Sequence, residues 1–337
     1  MFRERAGINS ASLLSRSAWN HARYAKPSAA VEPTLYAGKV ETTTVTLILD
    51  AFAVSASDIQ NPRAFFRSLN GFNQQWRAYD EVLDEVKYTT DPVTEEELDA
   101  IPVWHKYAGR NVTGVEGREI ALASMFELIP GQDFASRQRR DRFEGLLFDY
   151  RGRVVSTANT PEFNHGEILS YPTALASKEY LTGFLGEVTA QAAAILLDIP
   201  NADATVELAG HFGVLLQFGD DYFDWRKDWN DQRKRRLTSG STVRPGENLF
   251  NATLEENSGE KAACEVIIFD NSKRTAVWAK EFAPNTLDLF RQRFQVVADA
   301  TPEHPKRENI KDIVEFAFYK CMPKAPEFGP VARWAKY

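Results

Sequence analysis

Gly210-His-Phe-Gly-Val-Leu-Leu-Gln-Phe-Gly-Asp-Asp-Tyr-Phe-Asp-Trp-Arg-Lys-Asp228 is the stretch on which the reading of this chain turns. At helical spacing Gln217, Asp221, Asp224 and Asp228 share one stripe, which Gly213 extends one turn earlier, and Asp220 lies beside Asp221 one turn before Asp224. Phe212, Leu215, Leu216, Phe218 and Phe223 occupy the other side. Such a helix buries an apolar flank and presents a row of carboxylates. Like charges four residues apart cost about 0.2–0.5 kcal/mol per pair, so the row calls for a positive partner.

Carboxylates with no histidine or thiol beside them select a hard divalent ion. Mg²⁺ in particular uses one or two carboxylates, several waters and the oxygens of a phosphate-bearing substrate. The competing reading is a solvated acidic helix end with Arg226 and Lys227 as local counter-ions. A second cluster, Arg77-Ala-Tyr-Asp-Glu-Val-Leu-Asp-Glu-Val86, favours the metal. There Asp80 and Asp84 lie one turn apart, and Glu81 and Glu85 repeat the spacing. Two such helices facing one another would hold a metal-bound diphosphate from both sides, as needed to draw diphosphate off carbon.

The remainder of the 337 residues fits a helical protein. Lys and Arg total 40 against 47 Asp and Glu, a net charge of −7, with 43% hydrophobic and 12% aromatic residues. That composition sustains a large core and argues against nucleic acid as a partner. No uninterrupted apolar run suggests a membrane span. Cys264 and Cys321 fit a reducing compartment, so a cytoplasmic location is expected. His21, His105, His165, His211 and His304 lack zinc-site spacing.

Met1 to Lys26 carries five basic residues and one acid among serines, a faint likeness to an organelle transit peptide, although an ordinary first helix or frayed terminus describes it as well. Residues 1–33 are read as a mobile N-terminal extension and 34–337 as one all-α catalytic domain, a helical bundle round a central cavity. Helical windows run over residues 40–56, 63–87, 110–129, 138–148, 166–198, 203–229, 259–280, 285–300 and 309–320, with Pro and Gly between them. Val45 to Leu49 has strand character inside a helical window. Arg137, Arg139, Arg140 and Arg142 are expected on the surface.

Gln217-Phe-Gly-Asp-Asp-Tyr-Phe-Asp224 resembles the second aspartate-rich motif, Gln-x-x-Asp-Asp-x-x-Asp, of the trans-isoprenyl diphosphate synthase and class I terpene synthase superfamily. Asp80-Glu81-Val82-Leu83-Asp84 is similar to the first, Asp-Asp-x-x-Asp, with one Asp replaced by Glu. Weaker echoes run from about Tyr36 to Phe250: Ala37-Gly38-Lys39, Val103-Trp104-His105 and Ser239-Gly240-Ser241. The chain also departs from the pattern. Val40 stands where the family has the arginine of Gly-Gly-Lys-Arg, and no arginine pair succeeds the first motif. Asn73 takes the place of a histidine, Pro172 that of the lysine before Thr173, and Glu247 that of the lysine in Gly-Lys. In chain-elongating members the Gly-Gly-Lys-Arg segment, the histidine and the arginine pair hold the diphosphate of isopentenyl diphosphate, and of these groups only Lys39 survives.

The resemblance implies an Mg²⁺-dependent prenyltransferase that ionises an allylic prenyl diphosphate (C10 to C20) and passes the prenyl group to an acceptor other than isopentenyl diphosphate. Two or three ions bound with the substrate diphosphate are expected. The metal set would come from Asp80, Glu81, Asp84, Asp220, Asp221, Asp224 and Asp228, with Asp80, Asp84, Asp220 and Asp224 catalytic. Lys39, Lys178, Lys234, Arg235 and Arg244 would take up diphosphate, Lys178 standing in for the missing middle-helix lysine. Phe72, Asn73, Trp76, Tyr79, Gln217 and Phe218 would line a pocket stabilising the allylic cation, unless the aromatics are simply core. Lys39, Asn73, Gln74, Arg77 and Lys87 near the former acceptor side tilt the reading towards transfer. A terpene cyclase, an ordinary chain-elongating synthase and a non-catalytic partner subunit stay open. The acceptor is not identified by the sequence, and a homodimer is compatible with it.

Overall fold

A computed structural model of the chain describes residues 39–55, 58–86, 92–105, 107–160, 170–218, 221, 228, 248–260 and 284–301. The extension 1–33 and the window 309–320 lie outside them. Helix α1 (Lys39–Ala51) contains the strand-like stretch from Val45 to Leu49. Val45, Leu47, Ile48 and Leu49 are all buried, and a helix apolar on every side is stable when enclosed, whatever the β propensity of its residues. Helix α2 (Pro62–Val86) opens with proline at its first position, and Asn61 Oδ1 accepts the Ala64 N–H at 3.1 Å.

Two capping boxes punctuate the next segment. Thr94 and Glu97 start α3 (Glu95–Ala100), and Thr113 and Glu116 start α4 (Gly114–Leu128). Between them β1 (Val103–His105) and β2 (Arg110–Val112) form an antiparallel hairpin with Val103 opposite Val112 and His105 opposite Arg110. The single helix expected over 110–129 therefore begins at Gly114, after a strand. Helix α5 (Phe134–Asn159) is capped by Asp133 and exceeds its expected window at both ends.

Helix α6 (Tyr171–Lys178) passes through a π-helical turn (Glu179–Gly183) into α7 (Phe184–Leu197). Residues 203–218 form α8. Helices α9 (Leu249–Glu256) and α10 (Pro284–Asp299) complete the described elements. The architecture is all-α, as expected, apart from the hairpin.

Helix α2 runs through the middle, packed on α4, α5 and α7, while α7 also meets α1 and α5. Phe72 meets Phe143 edge-on at 5.8 Å and Tyr150 at 6.2 Å, aromatic contacts worth about 0.5–1.5 kcal/mol each beyond their buried area. The run Tyr171–Leu197 is long and apolar enough to cross a membrane by length and composition alone. Here most of its apolar residues, among them Val188, Ile195 and Leu196, are buried within the bundle, as in a core helix.

Glycines bring α7 and the π turn against α8. A Cβ on Gly186 would overlap the Ala209 carbonyl, one on Gly213 would stand 2.6 Å from the Thr182 carbonyl oxygen, and Gly183 and Gly210 face the same seam. Gly152 on α5 has open space around it. Gly186→Ala should therefore destabilise the protein by about 1–3 kcal/mol or more. Gly152→Ala should stabilise it by about 0.5–1 kcal/mol, the ordinary helix-interior difference. Urea denaturation of the two variants checks both signs, and equal effects would place the seam elsewhere.

Candidate functional site

The first acidic cluster lies in the C-terminal part of α2. Helical geometry sets Asn73, Arg77, Asp80 and Asp84 along one stripe. Asp80 and Glu81 are exposed, and Asn73, Trp76 and Arg77 are half-buried. Phe72 and Tyr79 are core residues. Phe218 is likewise fully buried. Asp84 lies in the last turns of α2 and Lys39 opens α1, with only their backbones described.

Helix α3, downstream of the first acidic cluster, is tied down by ion pairs. Its Asp99 receives both guanidinium arms of Arg118 from α4, and Arg151 from α5 at 2.5 Å. Arg151 also pairs with Glu95. Burial raises the Asp99 carboxyl, but the two guanidiniums outweigh it and hold the group below the usual carboxylate range. Helix α3 is thus fixed to two of the helices that pack on α2.

The second motif is legible in part. Asp220, Asp224, Lys234, Arg235 and Arg244 lie outside the described residues. Asp221 is 5% exposed, and both its carboxylate oxygens are hydrogen-bonded. Oδ1 accepts from Gln217 Nε2 at 2.8 Å, and Oδ2 accepts from the Leu249 N–H at 2.8 Å. That N–H begins α9, where unsatisfied donors and the helix dipole favour an anion. Asn248, 3% exposed, caps α9 by accepting the Asn251 N–H at 3.0 Å. Its Nδ2 donates to the Asp221 carbonyl at 2.7 Å and to Asp228 Oδ2 at 2.9 Å. Asn248 carried no signal in the sequence, because its partners lie 20 and 27 residues away.

Lys178 is the last residue of α6, half-buried, immediately before the π turn. Such turns concentrate at functional sites. Arg293 of α10 reaches this turn, donating to Glu179 Oε1 at 2.9 Å, with His211 Nδ1 of α8 at 3.4 Å.

The arginine run on α5 is not plain surface. Arg139 donates to the Ile195 carbonyl at 3.0 and 2.7 Å and to that of Leu196 at 3.2 Å, closing the C-terminus of α7, and pairs with Asp198 at 3.3 Å. Arg140, 7% exposed, donates to the carbonyls of Ile129 and Gly131 just past α4 and lies 5.0 Å from the Phe126 ring centroid. Orphan carbonyls at helix ends explain both. A groove of about 870 Å³ adjoins Arg139, Arg142, Asp149, Gln191, Asp198 and Val206. It opens at the start of α8, about 15 Å or more along that helix from Gln217, and is not the acidic site.

The donors available for a metal are carboxylate oxygens, which suit Mg²⁺. Among the described residues no three His, Cys, Asp or Glu side chains converge. One or two exposed carboxylates such as Asp80 and Glu81 are what Mg²⁺ takes from a protein when waters and phosphate oxygens complete its shell, so the residues fit the ion.

Solved structures share this architecture, and they are prenyl synthases. A geranylgeranyl pyrophosphate synthase is similar over 96% of this chain and 99% of its own, with a TM-score of 0.52 at 14% identity. A polyprenyl synthetase from Streptomyces coelicolor A3(2) is similar over 94% of this chain and 97% of its own, with a TM-score of 0.50 and again 14% identity. At this identity the likeness is one of fold. No family model matches the sequence, and no curated protein matches it.

His105 on the hairpin is fully buried, its Nδ1 accepting the Ala108 N–H at 3.1 Å, and the adjacent Trp104 carbonyl accepts from Gln74 Nε2 at 2.9 Å. Burial, with Arg67 and Arg110 nearby, pushes its imidazole below the ordinary value. The folded protein therefore holds His105 neutral where the unfolded chain, with a pKa of about 6.5, takes up a proton. The stability this contributes is complete above that value and declines as pH falls below it. Urea midpoints between pH 7 and pH 5 should fall for the parent and less steeply for His105→Gln, and parallel slopes would assign the acid sensitivity to other groups.

Proposed function

We propose that the protein is an Mg²⁺-dependent prenyltransferase that ionises an allylic prenyl diphosphate and delivers the prenyl group to an acceptor other than isopentenyl diphosphate. The observation that carries the reading is the complete Gln-x-x-Asp-Asp-x-x-Asp motif from Gln217 to Asp224, in a chain whose fold is shared with prenyl synthases. Asp80 and Asp84 from α2 and Asp220 and Asp224 from the second motif would hold the metal-bound diphosphate. Bound Mg²⁺ neutralises charge on the diphosphate oxygens and makes diphosphate a better leaving group.

The carbon–oxygen bond to the allylic carbon breaks, and its electron pair leaves with diphosphate. Lys39, Lys178, Lys234, Arg235 and Arg244 are the cations assigned to receive it. The acceptor then forms the new bond to the allylic carbon and gives up a proton. The sequence supports an acceptor other than isopentenyl diphosphate through Val40, Asn73 and the missing arginine pair after the first motif, positions where elongating synthases carry basic groups for its diphosphate.

Incubation with Mg²⁺ and C10, C15 or C20 allylic diphosphates, with and without isopentenyl diphosphate, followed by mass spectrometry, tests this reading. Diphosphate release without isopentenyl diphosphate is the expected result, with the rate rising when the true acceptor is supplied. Elongated diphosphates formed only in its presence would replace the proposal with chain elongation, and cyclic hydrocarbons or alcohols with cyclisation. Asp80→Ala and Asp224→Ala should each lower turnover by at least about a hundredfold. Arg139→Ala should lower the melting temperature while turnover persists.

A further inference from the structure

We infer that Asn248 is a positioning residue for the second acidic motif and that Asp221, within that motif, is a structural carboxylate rather than a metal ligand; the inference rests on the function proposed above. Asparagine is the one common cap that combines an acceptor with two N–H donors, and here both kinds of group are used. Oδ1 caps α9 at the Asn251 N–H, and Nδ2 is shared between the Asp221 carbonyl and Asp228 Oδ2. The oxygen and nitrogen assignment rests on these partners, since only a nitrogen can donate to a carbonyl and a carboxylate.

Asp221 is committed in the opposite sense. Its two oxygens accept from Gln217, one turn earlier in sequence, and from the first N–H of α9. A carboxylate held this way is already neutralised by protein donors and a helix N-terminus, and recruiting it to a metal would strip α9 of its partner. Asp221 and Asp228 are seven residues apart in sequence. A single buried amide therefore reaches Asp221 and Asp228 together and ties both to the start of α9. Helix α9 packs in turn on α6, which carries Lys178, and on α10. The aspartates of the second cluster thus divide: Asp221 and Asp228 carry the attachment to Asn248 and α9, which leaves ligation to Asp220 and Asp224.

Asn248→Ser separates the two duties of this side chain. Serine caps a helix about as well as asparagine but is too short, with a single donor, to reach both Asp221 and Asp228. Thermal unfolding of the full chain is recorded with and without Mg²⁺ plus inorganic diphosphate, so that binding is read apart from turnover. The parent should gain several degrees on addition of the pair. Asn248→Ser should unfold within a few degrees of the parent when both are absent, yet lose most of the gain, its half-saturating Mg²⁺ rising roughly tenfold. Asp221→Asn, which keeps an acceptor towards Leu249, should keep most of the gain. Asn257→Ser, at the far end of α9 where Nδ2 donates to the Thr253 carbonyl, should match the parent. An undiminished gain in Asn248→Ser overturns the positioning role and leaves the metal reading standing. Loss of the gain in Asp221→Asn returns Asp221 to the metal. Absence of any gain in the parent removes the metal-diphosphate site itself and the inference with it.

Discussion

Backbone-to-backbone contact between the π turn with α7 and α8 is the constraint on which the rest of the arrangement hangs. Gly183 and Gly186 on one side, and Gly210 and Gly213 on the other, leave no room for a side chain between the two helices. That proximity fixes where α8 runs, and with it the position of Gln217, whose Nε2 donates to Asp221. Along the same helix Leu208, Phe212 and Leu215 are buried, so a shift of α8 would expose a large apolar surface. Gly213, which extends the acidic stripe in sequence, works as a spacer in the seam and shares no role with the carboxylates above it.

Local signals carried most of the fold. The long windows that became α2, α7 and α10 combine strong periodicity with clear breakers, whereas the caps Thr94, Thr113 and Asp133 set helix starts that the apolar windows missed: α3 lay in none of them, and α4 and α5 begin at Gly114 and Phe134 instead of 110 and 138. The short hairpin escaped because Arg110-Asn111-Val112 runs straight into the capping box at Thr113, and three residues of strand cannot assert a period of two against the adjoining helix. The strand-like Val45 to Leu49 misleads in the other direction, since enclosure on all sides decides its conformation and enclosure is not written locally.

The candidate site divides between local and distant signals. Both acidic clusters are visible from helical spacing alone, and the fold shared with prenyl synthases agrees with the family they resemble. The Asn248 contacts, the clasp of Asp99 by Arg118 and Arg151, and the closure of α7 by Arg139 join residues 19 to 57 positions apart, beyond any periodic pattern. The same contacts account for part of the charge balance: Arg118, Arg139, Arg140, Arg151 and Arg293 are occupied by helix ends and structural carboxylates. None of these five is among the cations proposed to receive a departing diphosphate.

The π turn between α6 and α7 sets an angular phase. Five residues, Glu179–Gly183, fill a turn that an α-helix closes with one fewer, so everything before it is rotated by roughly 100° relative to an uninterrupted helix. Lys178 stands directly upstream of that rotation, and α9 packs on the helix it terminates. Loss of one residue from the turn would leave both helices intact and their composition almost unchanged, while turning Lys178 and the α9 contact surface about a quarter of the way round the axis. The facing of one lysine in this protein is therefore a matter of residue count, set by an insertion rather than by the identity of any side chain.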